Sequence, residues 1–464
     1  MSYDPLKYNR PGVTVVTDPT PQIGDLSRSP TVVALIGPAV GYETATQTFT
    51  LTSGGQKAQY ATAVLDGLQV MSATSGTAVQ PGAGGYSASI DGSGYLTISA
   101  ADGGMAGQAV IVTYRYTPAT YWDERELYDF QDVAAMYGNP FVSAGVNSQL
   151  SLAAMLAMRN RASSLRLIAT PDGTLASFQA ALAKLANDTE VNVVVPVSGD
   201  PDVHGAVVTF VNGQTALGNR MVCVLGRDGS STPVPDSALK AQAASYASRR
   251  VQLASPSSLQ VMNPVSAQPV TVGSQYFAAM VAGMRCALPV QAPLTWKQVA
   301  GVYAMSESYG EVQKDAQCAA GLLVLEVKRG VARIRDDLTT SIASDFERYA
   351  ALTRAEDYMM EAVQAACEPL VGTVFGELTI AMVKSFMDGA LYRCKNGGPG
   401  QSQGGVIQDY RSIQARQRTD RPATLEGRFV YSPSWPVEDI VITFTQDVVS
   451  GQFSAETGAN VQGV

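Results

Sequence analysis

The chain has 464 residues, 46% of them apolar and 16% charged, with a formal net charge of −8. That length holds two to four domains of roughly 100–200 residues, and the composition excludes a disordered or low-complexity chain. The acidic balance lacks the cationic footprint that phosphate neutralisation demands, which excludes a general nucleic-acid binder.

Five cysteines (Cys223, Cys286, Cys318, Cys367 and Cys394) form no CxxC pair. Reduced thiols are expected, with neither a zinc nor a redox site. The opening MSYDPLKYNRPG lacks the charged-then-apolar pattern of a signal peptide. No run approaches the ~20 apolar residues of a membrane span. The expectation is a protein made in a cytoplasm, with no membrane insertion.

Residues 1–20 read as an N-terminal arm. Pro5, Pro11 and Pro19 exclude a helix, and Val13, Thr14, Val15 and Val16 make a short β-prone run. Such a segment cannot bury itself and either frays or adds to a sheet. Residues 31–37, TVVALIG, are continuously apolar and predict a buried strand of an α/β sheet. Residues 42–118 are rich in Thr, Ser, Gly and Ala and predict an inserted, sandwich-like β-domain with a hairpin turn at Asp91-Gly92. Residues 21–41 and 119–345 predict an α/β middle domain: helix and strand patterns alternate, and a hairpin turns at Arg329-Gly330. Residues 346–446 predict a C-terminal α/β domain. It has one helix over 344–369, a second over 378–395 that stops at Gly397-Gly398-Pro399-Gly400, and two alternating strands near 425–431 and 440–445. Ile440, Val441, Ile442, Thr443 and Phe444 lie in the last strand. Residues 447–464 are a polar C-terminal arm without Lys or Arg.

Chemistry-bearing patterns are sparse. The one histidine, His204, is expected on the surface at a helix start, and no GxSxG elbow accompanies it. No GxxxxGK[ST] phosphate loop occurs. Asp336-Asp337 is expected at a hairpin-to-helix turn, and Glu307 with Glu311 at helical spacing on a solvated face. No catalytic, cofactor or metal residue is expected, and the chain does not read as an enzyme. Both chain ends read as edge strands, which pair with other chains unless blocked; the pattern alone leaves pairing within the subunit equally open.

Four features occur in one order: Asn9-Arg10-Pro11-Gly12-Val13-Thr14-Val15, the 31–37 strand, Arg333-Ile334-Arg335-Asp336-Asp337-Leu338-Thr339-Thr340, and the 433–444 segment PSWPVEDIVITF. This order resembles the contractile tail sheath proteins of bacteriophages and of phage-derived contractile injection systems. The first motif typically reads PGVYV there, and Thr14 stands here in place of the tyrosine.

The resemblance implies a multidomain α/β (α+β) fold: a sheath core of mixed sheet plus helices, the inserted all-β domain, and extended arms. It implies that the arms, through Val13–Val16 and Ile440–Phe444, each add a strand to neighbouring subunits. A contact that does not close then gives a helical sleeve around the tail tube. It further implies contraction without nucleotide that drives the tube through the host envelope for genome delivery. The implied partners are the chain itself, the tube protein, and baseplate and terminator proteins, with no nucleic acid and no cofactor. The implied location is a virion assembled in a host bacterial cytoplasm. Lys384, Arg393 and Lys395 become candidates for facing an acidic tube. The alternatives are an α/β hydrolase with an inserted β-domain, for which only His204 could act as base, and another strand-exchanging structural polymer.

Overall fold

The computed structural model describes residues 31–437, apart from 41, 62, 164, 373, 375, 398–404 and 421–423, together with 445–446 and 453–454. The expected arm strands, 13–16 and 440–444, lie outside the described residues.

Strand β1 (Val32–Pro38) is followed by β2 (Glu43–Thr50), β3 (Gln56–Lys57), β4 (Ala63–Ser72), β5 (Tyr86–Ile90), β6 (Leu96–Ala100) and β7 (Ala109–Tyr116). Next come β8 (Arg125–Leu127), α1 (Phe130–Tyr137), β9 (Phe141–Val142), β10 (Gly145–Val146) and α2 (Gln149–Arg159). Strand and helix then alternate through β11 (Leu165–Thr170), α3 (Leu175–Leu185), β12 (Val191–Pro196), α4 (Pro201–Ala216), β13 (Val222–Gly226), α5 (Asp236–Tyr246) and β14 (Val251–Ser255). β15 (Ser258–Asn263), β16 (Gln268–Gly273), α6 (Gln275–Ala287), β17 (Ala304–Met305), α7 (Glu311–Ala319), β18 (Leu322–Lys328) and β19 (Val331–Ile334) follow. The C-terminal part holds α8 (Asp345–Arg348), α9 (Ala350–Cys367), α10 (Glu377–Asn396), β20 (Ile407–Gln417), β21 (Leu425–Pro433), β22 (Thr445–Gln446) and β23 (Phe453–Ser454).

One eight-stranded sheet, in the order β19-β18-β14-β13-β12-β1-β11-β8, organises the body. Its six inner strands run parallel, and β8 and β19 are antiparallel edges. A parallel sheet covered on both faces needs apolar residues on both sides of each strand, and β1 supplies them. Val33 and Leu35 enter a core with α2 and α6, while Ala34 and Ile36 enter a second core with α3, α4 and α5. α6 is buried on every side from Gln275 to Cys286. It crosses α2 so closely that a Cβ on Gly283 would collide with the backbone of Ala157.

Two three-stranded sheets, β2-β7-β4 and β3-β6-β5, enclose a separate core that includes Phe49, Leu51, Leu96, Ile98, Val112 and Tyr114. The hairpin expected at Asp91-Gly92 turns over a longer loop. Asp91 Oδ1 accepts from the amides of Ser93 (2.9 Å) and Tyr95 (3.0 Å), and Gly94 takes the left-handed conformation at φ +82°. An aspartate can build such a turn from its own side chain, which leaves the positive φ to a later glycine.

The helix expected over 344–369 is two helices. Tyr349 is extended between α8 and α9 (φ −95°, ψ 119°). Local backbone pairing competes with the helix here. Thr339 N donates to Arg348 O (2.8 Å), Ala350 N donates to Asp337 O (3.2 Å), and the Tyr349 ring packs with Leu338 and Leu352. The Thr-Thr segment therefore clamps the helix start. It also stitches to β14, since Thr340 N donates to Val251 O (2.8 Å) and Thr340 Oγ1 donates to Ser248 O (3.0 Å).

Candidate assembly surface at the C-terminal sheet

β20 and β21 form an antiparallel hairpin, and among the described residues no third strand pairs with either. Ile407, Tyr410, Ile413, Phe429 and Tyr431 face α9 and α10, joining Met359, Leu391 and Cys394 in one core. Ala415, Leu425 and Phe429 close a second core with Val383 and Met387. Glu426 accepts from Arg416 (2.9 Å) and Arg428 (2.7 Å). Apolar contact thus holds the hairpin to its helices on one face, and among the described residues both long edges lack a strand partner. β20 carries a register shift between Arg411 and Gln414, with Ser412 at φ +59°, whereas β21 pairs evenly from Leu425 to Arg428. Further on, β22 and β23 pair as a short antiparallel ladder.

The three cations expected to face one partner do not share a face. At 3.6 residues per turn, Lys384 and Lys395 fall on one flank of α10 and Arg393 falls on the other. Lys384 and Arg393 are exposed. Lys395 pairs with Asp409 at 2.7 Å, and that hydrogen bond holds the Asp409 carboxyl below the usual carboxylate range. Arg393 lies toward α9, where its charge acts on the Tyr358 phenol.

His204 was expected on the surface and is instead fully buried. Its helix, α4, starts with Asp200 capping Asp202 N (2.9 Å), and this turn folds the imidazole under the sheet end. Nε2 donates to Ser198 O (2.8 Å), so Nδ1 is the acceptor for Gln242 Nε2 (3.1 Å). Burial, reinforced by Arg227, lowers its pKa to about 4. Among the described residues no hydroxyl hydrogen-bonds to the fully buried ring, so it lacks the geometry of a triad base. The sign of its pH effect follows. The folded state disfavours the imidazolium, so the contribution is fully present above about pH 6.5 and is lost as pH falls through about 4. At low pH the wild type should lose about 3 kcal/mol that His204→Gln does not lose. Thermal unfolding of both proteins between about pH 7 and pH 4 checks this, and parallel curves would refute it.

Glu307 and Glu311 were expected together on a helix face and lie apart. Glu307 sits in the loop before α7 and accepts from Ser257 Oγ (2.6 Å), Ser258 N (3.0 Å) and the Tyr309 hydroxyl. Glu311 opens α7 and accepts from Lys314 (2.9 Å) and Arg335 (2.7 Å), which hold its carboxyl at about 2. Asp336-Asp337 does occupy the segment after β19, where Asp337 is buried against Arg285. All five cysteines are free thiols. Among the described residues no three His, Cys, Asp or Glu side chains group as metal ligands, and no helix is long and apolar enough to cross a membrane.

No family model matches the chain. A tail sheath protein of Mycobacterium phage Bxz1 is 30% identical over 354 residues, covering 74% of this chain and 60% of that protein. The chain thus spans about three fifths of the curated relative's length. Among solved structures, the contracted helical sheath of the anti-feeding prophage matches with a TM-score of 0.60 at 13% identity, over 96% of this chain and all of the other. The six-fold symmetrised baseplate of the same particle matches at 0.55 and 16%, over 71% and 89%. The contracted sheath complex of an extracellular contractile injection system, PVC, matches at 0.51 and 14%, over 70% and 87%. The mixed-sheet α/β fold is therefore one that contractile sheath subunits share, and the resemblance to that family is borne out.

Proposed function

We infer that this chain is a member of the contractile tail sheath family, a structural subunit that polymerises into a helical sleeve around a tail tube and shortens to drive the tube through a host envelope. The observation that carries this reading is the sequence relationship to a phage tail sheath protein, together with the fold shared with two sheath assemblies. The open-edged β20–β21 hairpin supports it physically. Strand addition to such an edge gives many backbone hydrogen bonds at little cost in sequence specificity, and a head-to-tail contact that does not close builds a helix.

The partners in this reading are further copies of the chain, a tube protein, and baseplate and terminator proteins, in a virion assembled in a bacterial cytoplasm. The subunit is not an enzyme. Contraction draws on a packed, bistable assembly rather than on nucleotide. The segments 13–16 and 440–444 are the strand-exchange arms. In this reading Lys384 and Lys395, which share one flank of α10, contact an acidic tube surface, while Arg393 lies toward α9.

Negative-stain microscopy of the purified full-length chain tests the reading. Regular helical sleeves of uniform diameter are expected, and ATP turnover should be at background. A chain that stays monomeric under all assembly conditions, or that turns over substrate, would sink it.

A further inference from the structure

The C-terminal unit is seated on the body along one face of α9, and that face is ionic. Its partners come from the sheet side. Arg249 pairs with Glu356 (2.6 Å), and both guanidinium N–H groups of Arg250 meet the Asp357 carboxylate at 2.8 Å. Arg220 lies 4.0 Å from Asp357 and donates to Gln364 (3.5 Å). Arg354, fully enclosed, donates to Thr31 Oγ1 (2.6 Å) just before β1. Glu361 stands one turn beyond Asp357 on the same face. Among the described residues it makes no ion pair and no hydrogen bond, although Glu356 and Asp357 each have a cation. It lines a small cavity of about 30 Å³ shared with Thr31, Asn192, Arg220, Arg354, Asp357 and Tyr358, at the meeting of β12, β13 and α9.

We propose that Glu361 makes this seam a protonation-controlled joint: with its carboxyl neutral, α9 stays seated on the sheet, and with the carboxylate formed the C-terminal unit is freed to rock. The charged and titratable groups facing Glu361 are Asp357, Arg354 and Tyr358 on α9, Arg220 before β13 and Arg250 before β14; on α10, Arg393 and Cys394 act on the neighbouring Tyr358. Desolvation is the largest influence, and the Asp357 charge adds to it. Arg220 and Arg250 oppose both, and the balance raises the Glu361 carboxyl to about 7. Because the seated state prefers the protonated acid, its stability is fully present below the ordinary carboxylate value and is lost as pH rises through about 7. The device does not depend on the sheath reading, since it acts within one subunit. It also sits at the root of the β20–β21 hairpin.

Hydrogen–deuterium exchange on the soluble full-length chain at about pH 5 and pH 8, corrected for intrinsic rates, reads the joint. In the wild type, α9 amides around Glu361 should lose at least about tenfold protection at the higher pH, while β12 and β13 stay unchanged. Glu361→Gln should hold α9 equally protected at both. Arg220→Met, which removes an opposing cation, should move the wild-type transition to higher pH, so the idea stays testable if the first variant folds poorly. A wild-type α9 whose protection ignores pH, or a Glu361→Gln protein that keeps the wild-type response, overturns the proposal.

Discussion

Removing residues 1–17 or residues 440–464 should leave a folded, soluble subunit that forms no sleeves. The cores on both faces of the eight-stranded sheet, the inserted β-domain core and the α9–α10 core are all built from residues between 32 and 431. Neither truncation touches them, so the thermal unfolding midpoint should stay near the wild-type value. Assembly is different. An arm strand of four or five residues added to a sheet edge contributes about four backbone hydrogen bonds, each with a net value of about 1 kcal/mol. Losing them weakens each subunit contact by about a thousandfold, before any side-chain packing is counted. A polymer that repeats that contact at every subunit cannot survive the loss. Sedimentation should show monomers, and negative-stain grids should be empty of tubes. Normal sleeves from both truncated chains would refute strand exchange while leaving the proposed sheath role untouched.

The sequence disclosed those parts of the fold whose residues signal locally. Thr31 to Gly37 reads as a buried strand because it is apolar at every step, and the structure sets it mid-sheet with both faces covered. The alternation from α2 to β13 is legible for the same reason. β20 leaves no strand signal in the sequence because its bulge breaks the period. Its buried or half-buried apolar positions, Ile407, Tyr410, Ile413 and Ala415, step by three, three and two, which matches neither a strand nor a helix. α6 shows no apolar stripe because all its sides are buried. His204 reads as solvent-facing because helix starts usually are, and tertiary neighbours such as Arg227, Gly226 and Gln242, up to 38 residues away, enclose it. For the candidate surface, the helix carrying Lys384, Arg393 and Lys395 could be read, but the separation of Arg393 from the two lysines needed the helix to be seated on its sheet.

The same limit hides a fully buried ion pair. Asp336-Asp337 reads as a turn, and the sequence does not reveal that Asp337 is fully buried with Arg285, 52 residues earlier. Asp337 Oδ2 accepts from Arg285 Nη1 (3.0 Å) and from Leu294 N (3.1 Å). Oδ1 accepts from Arg285 Nη2 and from Gln252 Nε2 (3.1 Å). One carboxylate thus ties α6, β14, the 290–295 segment and the strand leading to the Thr-Thr clamp. Asp337→Ala should cost about 3–5 kcal/mol, because it strands a buried guanidinium rather than merely deleting a contact. The cost is raised by Arg354, which donates to the Arg285 carbonyl (3.3 Å) and places a second cation beside the first. The double variant Arg285→Met with Asp337→Leu should recover most of the loss, since apolar replacement of a whole buried pair is often near neutral. Urea unfolding midpoints of the three proteins decide the matter. If Asp337→Ala loses less than about 1 kcal/mol, the pair does not hold the body together. If the double variant is no better than the single, the cost lies in Asp337's bonds to Gln252 and Leu294 rather than in the stranded charge.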